Sequence, residues 1–274
     1  MAMLAVACSK EADVRVVEEG LVDHYATTLT DIPSEWINKA RSDLHIAYGH
    51  TSHGSQLTDG MRGLASFLGA EYEWNNGGTG DALDLHDYAM PGDLGNPNFT
   101  QWERETRSYL DANGDVNVII WSWCGQVSSA TEADISTYLS LMTGLEEDYP
   151  GVTFVYMTGH LDGTGLTGNL HRRNEQIRSY CRTHKKFLYD FADIESYDPE
   201  GKFYHDKWAN DGCYYDNDNN GSLESNWALR WQESHTLGVD WYSCGAAHTQ
   251  PLNANMKAYA AWHLWARIAG WDGK

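Results

Sequence analysis

The sequence predicts an α/β fold in which a mostly parallel β-sheet lies between two layers of helices. Short, almost wholly apolar segments recur along the chain, and such segments are typical of strands covered on both faces. Segments with apolar residues at helical spacing separate them. The 274 residues suffice for a sizeable core, and no internal repeat divides them. We therefore expect one three-layer α/β/α domain.

The first predicted strand covers residues 44–48 and ends at Gly49. Apolar residues then recur at helical spacing, which predicts a helix at 56–68. Residues 69–100 are rich in Gly, Asn and Asp. Because so long a structureless loop is unusual in a compact domain, we expect a functional surface there.

A short helix is predicted at 101–110, followed by a strand at 116–121. That strand reads VNVIIW and has the strongest strand pattern in the chain. Thr131 and Asp134 then have the spacing of a capping box, which predicts the start of a helix covering residues 131–147.

The remaining elements continue the same alternation. Residues 152–157 and 186–191 are apolar and predict the third and fourth strands. Residues 170–184 form a charged helical pattern between them, and a closing helix is predicted at 253–268. Strands that alternate with helices in this way pair in parallel through crossover helices.

The composition excludes two classes of partner. Asp and Glu number 39 against 19 Lys and Arg, which gives a formal charge of −20. Nucleic acids and anionic membrane surfaces both require a basic face. We expect neither as a partner, and no segment beyond the first residues is long and apolar enough to span a membrane.

The amino terminus resembles the end of a bacterial lipoprotein signal. Residues 4–9 read LAVACS, in which Cys8 has the position of the acylated cysteine. We interpret residues 1–10 as the remnant of that signal, which predicts a lipid anchor and an envelope or extracellular location. Residues 11–274 then form the domain, with a loop insertion at about 197–242.

Reactive side chains and glycine are concentrated directly after the first strand. This segment contains His50, Ser52, His53 and Gly54 and precedes a predicted helix. A strand, a tight turn and a helix expose side chains and backbone amides at the carboxyl end of a sheet, where open α/β sheets bind ligands. We therefore expect Ser52 to be a nucleophile.

Polar segments also follow the later strands. Residues 122–126 follow the second strand, residues 157–160 follow the third, and His248 precedes the closing helix. A serine hydrolase needs a nucleophile, a base and donors for an oxyanion. In a parallel sheet these groups can come from distant parts of the chain.

Over roughly residues 43–270 the layout resembles the SGNH (GDSL-type) hydrolase superfamily. Residues 49–54 resemble its first block, which contains the serine, and residues 118–126 resemble the block with an amide donor. His248, shortly before Pro251, resembles the final histidine block.

The resemblance implies a flavodoxin-like sandwich with serine esterase activity and no cofactor for catalysis. It implies Ser52 as nucleophile, His248 as base, and Gly54 and Gln126 beside the oxyanion. His50, next to the nucleophile in the same block, is a further candidate catalytic residue. The implied substrate is a small-molecule or polysaccharide ester, such as an acyl group on a carbohydrate.

One position departs from the superfamily. Its members usually carry Asp three residues before the histidine, where this chain has Gly245. Asp240 or another carboxylate would have to orient His248, or the site would be a Ser–His dyad.

The histidines also suggest an alternative metal-dependent hydrolase. His50 and His53 are three residues apart, and His86 could approach them. The acidic residues around His86 are Asp81, Asp84 and Asp87. Imidazoles with carboxylates suit zinc or a similar transition metal.

A segment of the insertion has the spacing of an EF-hand calcium loop, with Gly221 at the sixth position. The candidate ligands are Asp216, Asp218, Asn220, Ser222 and Glu224. The last ligand position holds Trp227, so Asp211 or Glu233 would have to complete the site. We expect a structural calcium ion there.

The remaining expectations concern cysteine and tryptophan. Cys213 lies in loop-like sequence within the insertion and Cys244 just after it, and the two could form a disulfide in an oxidising compartment. A competing function is a non-catalytic carbohydrate- or surface-binding lipoprotein whose tryptophans stack on sugar rings. The candidates for such stacking are Trp121, Trp123, Trp208, Trp227 and Trp231.

Overall fold

The computed structural model describes residues 20–274, and within them it confirms the α/β class. Cys8 and the signal-like segment lie outside the described residues. A seven-stranded sheet forms the centre of this part of the chain, in the order β1-β7-β6-β5-β2-β4-β3. Every neighbouring pair in that sheet is parallel. The strands are β1 (Leu21–Val22), β2 (His45–Gly49), β3 (Trp74–Asn75), β4 (Leu83–Asp87), β5 (Val118–Trp121), β6 (Thr153–Met157) and β7 (Phe187–Tyr189).

Helices flank this sheet, as the alternating pattern predicted. They are α1 (Ser34–Asp43), α2 (Ser55–Leu68), α3 (Gln101–Ala112), α4 (Glu132–Asp148), α5 (Asn169–His184), α6 (Phe191–Ile194), α7 (Trp227–Ser234) and α8 (Pro251–Ile268). Thr131 forms the predicted capping box with Asp134 at the start of α4. None of the helices within residues 20–274 is long and apolar enough to cross a membrane.

Two strands lie within residues 69–100, where we expected a functional surface from the sequence and assigned no regular element. β3 and β4 fall within residues 69–100, and β4 reads LDLHD. Leu83 and Leu85 are fully buried, so the strand is held by alternate residues on one face. An alternation of five residues between Gly-rich and Asn-rich segments is a weak signal, which explains why the sequence interpretation missed it.

The order of the strands creates a switch point between β2 and β5. From β2 the chain proceeds to β3 and β4 on one side, and then returns to place β5 on the other side. Gly49 at the end of β2 lies opposite Trp121 at the end of β5. The connections after these two strands diverge, which leaves a crevice at their carboxyl ends.

Helix α8 packs closely on α2 and positions the carboxyl-terminal part of the site. Gly60 of α2 lies against the backbone of Ala254, where a Cβ atom would be 2.1 Å from the Ala254 carbonyl oxygen. Glycine is required there because the two helices approach so closely. Most residues of α8 are buried, including Lys257.

The insertion at 197–242 contains a small antiparallel pair, β8 (Tyr214–Tyr215) and β9 (Ser225–Asn226), followed by α7. Its position brings Asp211 beside the crevice, since the Asp211 N–H donates to the Leu161 carbonyl after β6. This contact makes the insertion part of the candidate site.

The predicted disulfide is wrong. Cys213 and Cys244 are both free thiols. The Cys213 sulfur lies 3.3 Å from the Thr249 hydroxyl, whereas the Cys244 sulfur lies 3.4 Å from the Asn255 amide nitrogen. Each thiol is thus packed against a different polar group at the start of α8.

Most of the tryptophans proposed for sugar stacking lie in the core. Trp121, Trp123 and Trp227 are at most 2% exposed, so their faces pack on protein. Trp231 stacks on His235 with a centroid distance of 3.6 Å. Trp208 is 38% exposed, and one such ring does not make the predicted platform.

Candidate functional site

The structure brings Ser52 and His248 together at the switch-point crevice. Ser52 lies in the turn between β2 and α2, and its side chain is exposed. The Ser52 Oγ is 3.0 Å from Nε2 of His248, although 196 positions separate the two residues. A hydroxyl and an imidazole at this distance can exchange a proton.

The loop before α8 fixes His248. Its φ is +66°, in the left-handed region that residues other than glycine adopt uncommonly. The Gln56 side-chain amide donates to the preceding carbonyl, that of Ala247, at 2.6 Å. Helix α2 therefore carries the serine turn at its start and also anchors the histidine loop.

Asp240 does not orient His248. Asp240 is exposed, and its carboxylate accepts a hydrogen bond from the Thr236 N–H at 2.8 Å. Among residues 20–274, no carboxylate forms a hydrogen bond with His248. A side chain at Gly245 would place its Cβ 2.8 Å from Asp59 Oδ2, so this packing also disfavours an acid at the superfamily position. The pair is a dyad.

A second series of hydrogen-bond contacts lies beside the Ser52–His248 pair. Cys124, after β5, has its sulfur 3.6 Å from Ser52 Oγ and 3.3 Å from Nδ1 of His53. The other ring nitrogen of His53 lies 3.0 Å from Asp211 Oδ2. The crevice thus holds a hydroxyl and a thiol, each next to an imidazole.

Three imidazole rings stack across the crevice, with His53 in the middle. His53 lies 3.8 Å from His160 and 4.3 Å from His248, measured between ring centroids. Burial lowers the pKa of His53, and the hydrogen bond to Asp211 offsets this only in part. The lowered pKa favours the neutral form of the central ring.

Asp211 is ionised in this environment. Burial acts to raise the pKa of Asp211, but the hydrogen bond to His53 and the proximity of His160 outweigh it and lower the pKa. The ionised carboxylate supplies negative charge on the side of His53 that faces away from Cys124.

The sequence interpretation missed this grouping. It gave Cys124 no role, and it named His53 and Asp211 as candidate ligands of two different metal sites. The available signal was the position of His160. It follows the end of β6 closely, as Ser52 follows β2 and Cys124 follows β5. No sequence signal placed Asp211, because its position depends on how the insertion folds back.

His50 is buried beside the serine turn, and both of its ring nitrogens have hydrogen-bond partners other than Ser52. It is 1% exposed, with Nε2 2.7 Å from Asp87 Oδ1 and Nδ1 2.8 Å from the Thr51 carbonyl. Gly54 lies directly against it, where a Cβ atom would be 2.3 Å from the His50 Cβ. Both residues shape the serine turn.

Gln126 forms hydrogen bonds with Cys124 and Asp93 beside the crevice, and none with Ser52. Its side-chain oxygen accepts from the Cys124 N–H at 2.9 Å, and its amide nitrogen donates to Asp93 at 3.3 Å. The Thr51 hydroxyl donates to the same carboxylate at 3.0 Å. Asp93 therefore connects the turns after β2 and β5.

The predicted cluster of His50, His53 and His86 does not form. His86 pairs with Asp84 at 3.1 Å and with the Tyr109 hydroxyl at 2.5 Å. His50 and His53 point to different carboxylates, because the turn after β2 separates their side chains.

The calcium-loop residues partly converge. Oxygen atoms of Asp216, Asp218 and Glu224 lie within 4.8 Å of one another. Asp216 accepts backbone N–H groups of the loop, including that of Gly221 at 2.7 Å. Asp211 does not complete this group, because its carboxylate bonds His53.

Comparison with protein-family models, curated proteins and solved structures finds no match to this chain. The resemblance to SGNH hydrolases thus rests on short segments of sequence. The function is inferred from the chemistry of the crevice.

Proposed function

We propose that this protein is a serine esterase in which Ser52 is the nucleophile and His248 the general base. The observation that carries the proposal is the 3.0 Å contact between Ser52 Oγ and His248 Nε2 at the switch point. Activated hydroxyls are recognised by such a contact with a base, and open α/β sheets bind ligands at this position.

The proposed reaction follows from these two groups. His248 accepts the Ser52 proton while the serine oxygen attacks the ester carbonyl carbon. The tetrahedral intermediate collapses, and the protonated imidazole gives its proton to the departing alcohol. Water, deprotonated by His248, then hydrolyses the acyl-enzyme, which releases the acid and restores the hydroxyl.

The start of α2 supplies donors for the oxyanion. The backbone N–H groups of Ser52 and Gly54 precede this 14-residue helix and donate to no other group of the described chain. Free N–H groups and the positive end of a helix dipole both stabilise negative charge. Donors fixed before the reaction reduce the barrier because they need no reorganisation.

His53 takes the positioning role that an acid has in a triad. Its ring stacks on His248 at 13° between planes, and is itself held by Asp211. Stacking fixes the plane of the base, although it supplies no negative charge to the imidazolium. We therefore expect a slower catalyst than a complete triad.

The proposed substrate is a neutral ester, such as an acyl group on a carbohydrate, because a chain with a formal charge of −20 disfavours anionic ligands. By the same proposal the protein works in the bacterial envelope or outside the cell. The lipid anchor would be Cys8, which lies outside the described residues.

A fluorophosphonate probe tests the nucleophile directly. We expect a covalent adduct on Ser52, mapped by peptide mass spectrometry, because the probe reacts with hydroxyls activated by a neighbouring base. The His248→Asn variant is the matched control and should lose the labelling, since asparagine tolerates the left-handed φ but provides no base. A folded wild-type protein without an adduct on Ser52 contradicts the assignment and favours a non-catalytic binding protein.

We also propose that the loop at 216–224 binds calcium. We expect saturating calcium to raise the Tm by about 5 °C, since a ligand at about 100 times its Kd adds ~2.7 kcal/mol. Asp218→Ala should abolish this shift in differential scanning fluorimetry without lowering the Tm in calcium-free buffer. The Asp218 carboxylate accepts no hydrogen bond within the described residues, so its loss leaves the loop intact. An equal shift in both proteins would refute the site.

A further inference from the structure

His53, His160 and Asp211 form a compact cluster of side chains of the kind that bind metal ions. One ligand atom from each residue lies within 4.8 Å of those of the other two. The three come from the turn after β2, the segment after β6 and the insertion. We propose that these three side chains bind one divalent transition-metal ion of the zinc class.

His160 has the tautomer that a metal ligand needs, with a free lone pair on one ring nitrogen. Its Nδ1 lies 3.0 Å from the Leu161 carbonyl, which only accepts, so Nδ1 carries the proton and Nε2 the lone pair. The Nε2 atom is buried and has no hydrogen-bond partner among residues 20–274. An unsatisfied buried acceptor destabilises the folded protein, and a metal bond removes that cost. Metal-binding histidines commonly donate their second N–H to a carbonyl in this way.

His53 and Asp211 provide the other two ligands. His53 Nε2 and Asp211 Oδ2 are 3.0 Å apart, a separation that one ion can bridge at ordinary zinc bond lengths of about 2.0–2.2 Å. The His53 Nδ1 would then carry the proton and face the Cys124 sulfur, 3.3 Å away. Cys124 thus takes the outer position that fixes the orientation of the ligand.

The donor set selects the kind of metal. Two imidazoles and one carboxylate suit zinc and its neighbours, whereas calcium and magnesium prefer oxygen donors alone. Three protein ligands leave a fourth position for water, as in catalytic zinc sites. The proposed calcium loop has oxygen ligands only and belongs to a separate site.

The proposal goes beyond the esterase function, because neither Ser52 nor His248 is among the ligands. Three roles are compatible with the contacts of these side chains: a thiol nucleophile at Cys124, a hydrogen-bonded structural cluster, and a metal site. Only the metal site accounts for the buried lone pair of His160.

Cobalt(II) tests the proposal, because tetrahedral cobalt absorbs visible light and reports its own coordination. Protein treated with a chelator and dialysed should bind one Co²⁺ per chain with visible absorption, and Zn²⁺ should displace it. We expect His160→Ala and Asp211→Ala each to weaken Co²⁺ binding at least about 100-fold. Circular dichroism checks that the variants fold, and His160→Gln replaces His160→Ala if that variant does not.

Two further variants separate this proposal from the esterase and from nonspecific binding. His171→Ala, outside the cluster, and Ser52→Ala should both bind Co²⁺ as the wild type does. Absence of saturable Co²⁺ absorption overturns the metal site, as does unchanged binding in His160→Ala and Asp211→Ala. Rapid iodoacetamide alkylation of Cys124 that requires His53, without any Co²⁺ binding, would assign the cluster to thiol chemistry instead.

Discussion

Ser52→Ala is expected to reduce hydrolysis of p-nitrophenyl acetate by about 10³-fold or more. The alanine removes the atom that forms the acyl-enzyme and leaves only the oxyanion donors and the binding surface. His248→Asn should reduce turnover by roughly 10²–10⁴-fold, which is the usual contribution of a positioned base. Both losses should appear in kcat, because Ser52 and His248 act in the chemical step and not merely in substrate binding.

Ser66→Ala is the matched control for this measurement. Ser66 lies on the exposed side of α2, and among the described residues its hydroxyl donates only to the Arg62 carbonyl within the helix. Its turnover should equal that of the wild type. Retained turnover in Ser52→Ala would eliminate Ser52 as the nucleophile, and a loss confined to Cys124→Ala would transfer that role to the thiol.

Lys257→Met is expected to destabilise the protein by about 3–5 kcal/mol, since it leaves a buried carboxylate without its partner. Lys257 and Glu195 are both fully buried, with Nζ and Oε2 2.7 Å apart. Burial lowers the pKa of Lys257, whereas Glu195 raises it. Urea denaturation measures the loss as a lower midpoint at unchanged slope.

The position of this ion pair explains why its loss affects the site as well. Lys257 also donates to Gln56, which anchors the loop of His248. Glu195 accepts the Leu161 N–H next to His160. One buried cation therefore connects the two sides of the crevice.

Two variants provide controls for the prediction on Lys257. Lys39→Met breaks an exposed pair with Asp43 and should cost less than about 1 kcal/mol. The double variant Lys257→Met/Glu195→Gln should recover part of the loss, because no unpaired charge remains buried. If Lys257→Met alone lowers the free energy of unfolding by less than about 1 kcal/mol, the pair is not buried as the structure places it.

Local sequence patterns were sufficient to predict most of the longer strands and helices of the fold. The four predicted strands correspond to β2, β5, β6 and β7, and the predicted helices to α2, α3, α4, α5 and α8, with ends shifted by a few residues. Apolar runs and caps act over a few neighbouring positions, so the sequence carries their signal directly. The two-residue strands and β4 were too short to carry it.

Ser52 and His248 were also accessible from sequence, because each occupies a recognisable place relative to a strand or the last helix. The partners of His53 were not. Cys124 and Asp211 are 71 and 158 positions away from it, and their approach depends on the strand order and on the folding of the insertion.

Within residues 20–274, the sequence by itself determined four of the seven strands of the central sheet, five of the eight helices, the parallel arrangement of the sheet, and the pair of residues on which the esterase proposal rests. Tertiary structure alone decided that His50 is buried against Asp87, that Cys213 and Cys244 do not pair, and that His53, His160 and Asp211 converge. The physical reason is that secondary structure follows from contacts between near neighbours. A site of this kind is assembled instead from side chains whose only relation is the packing of distant elements.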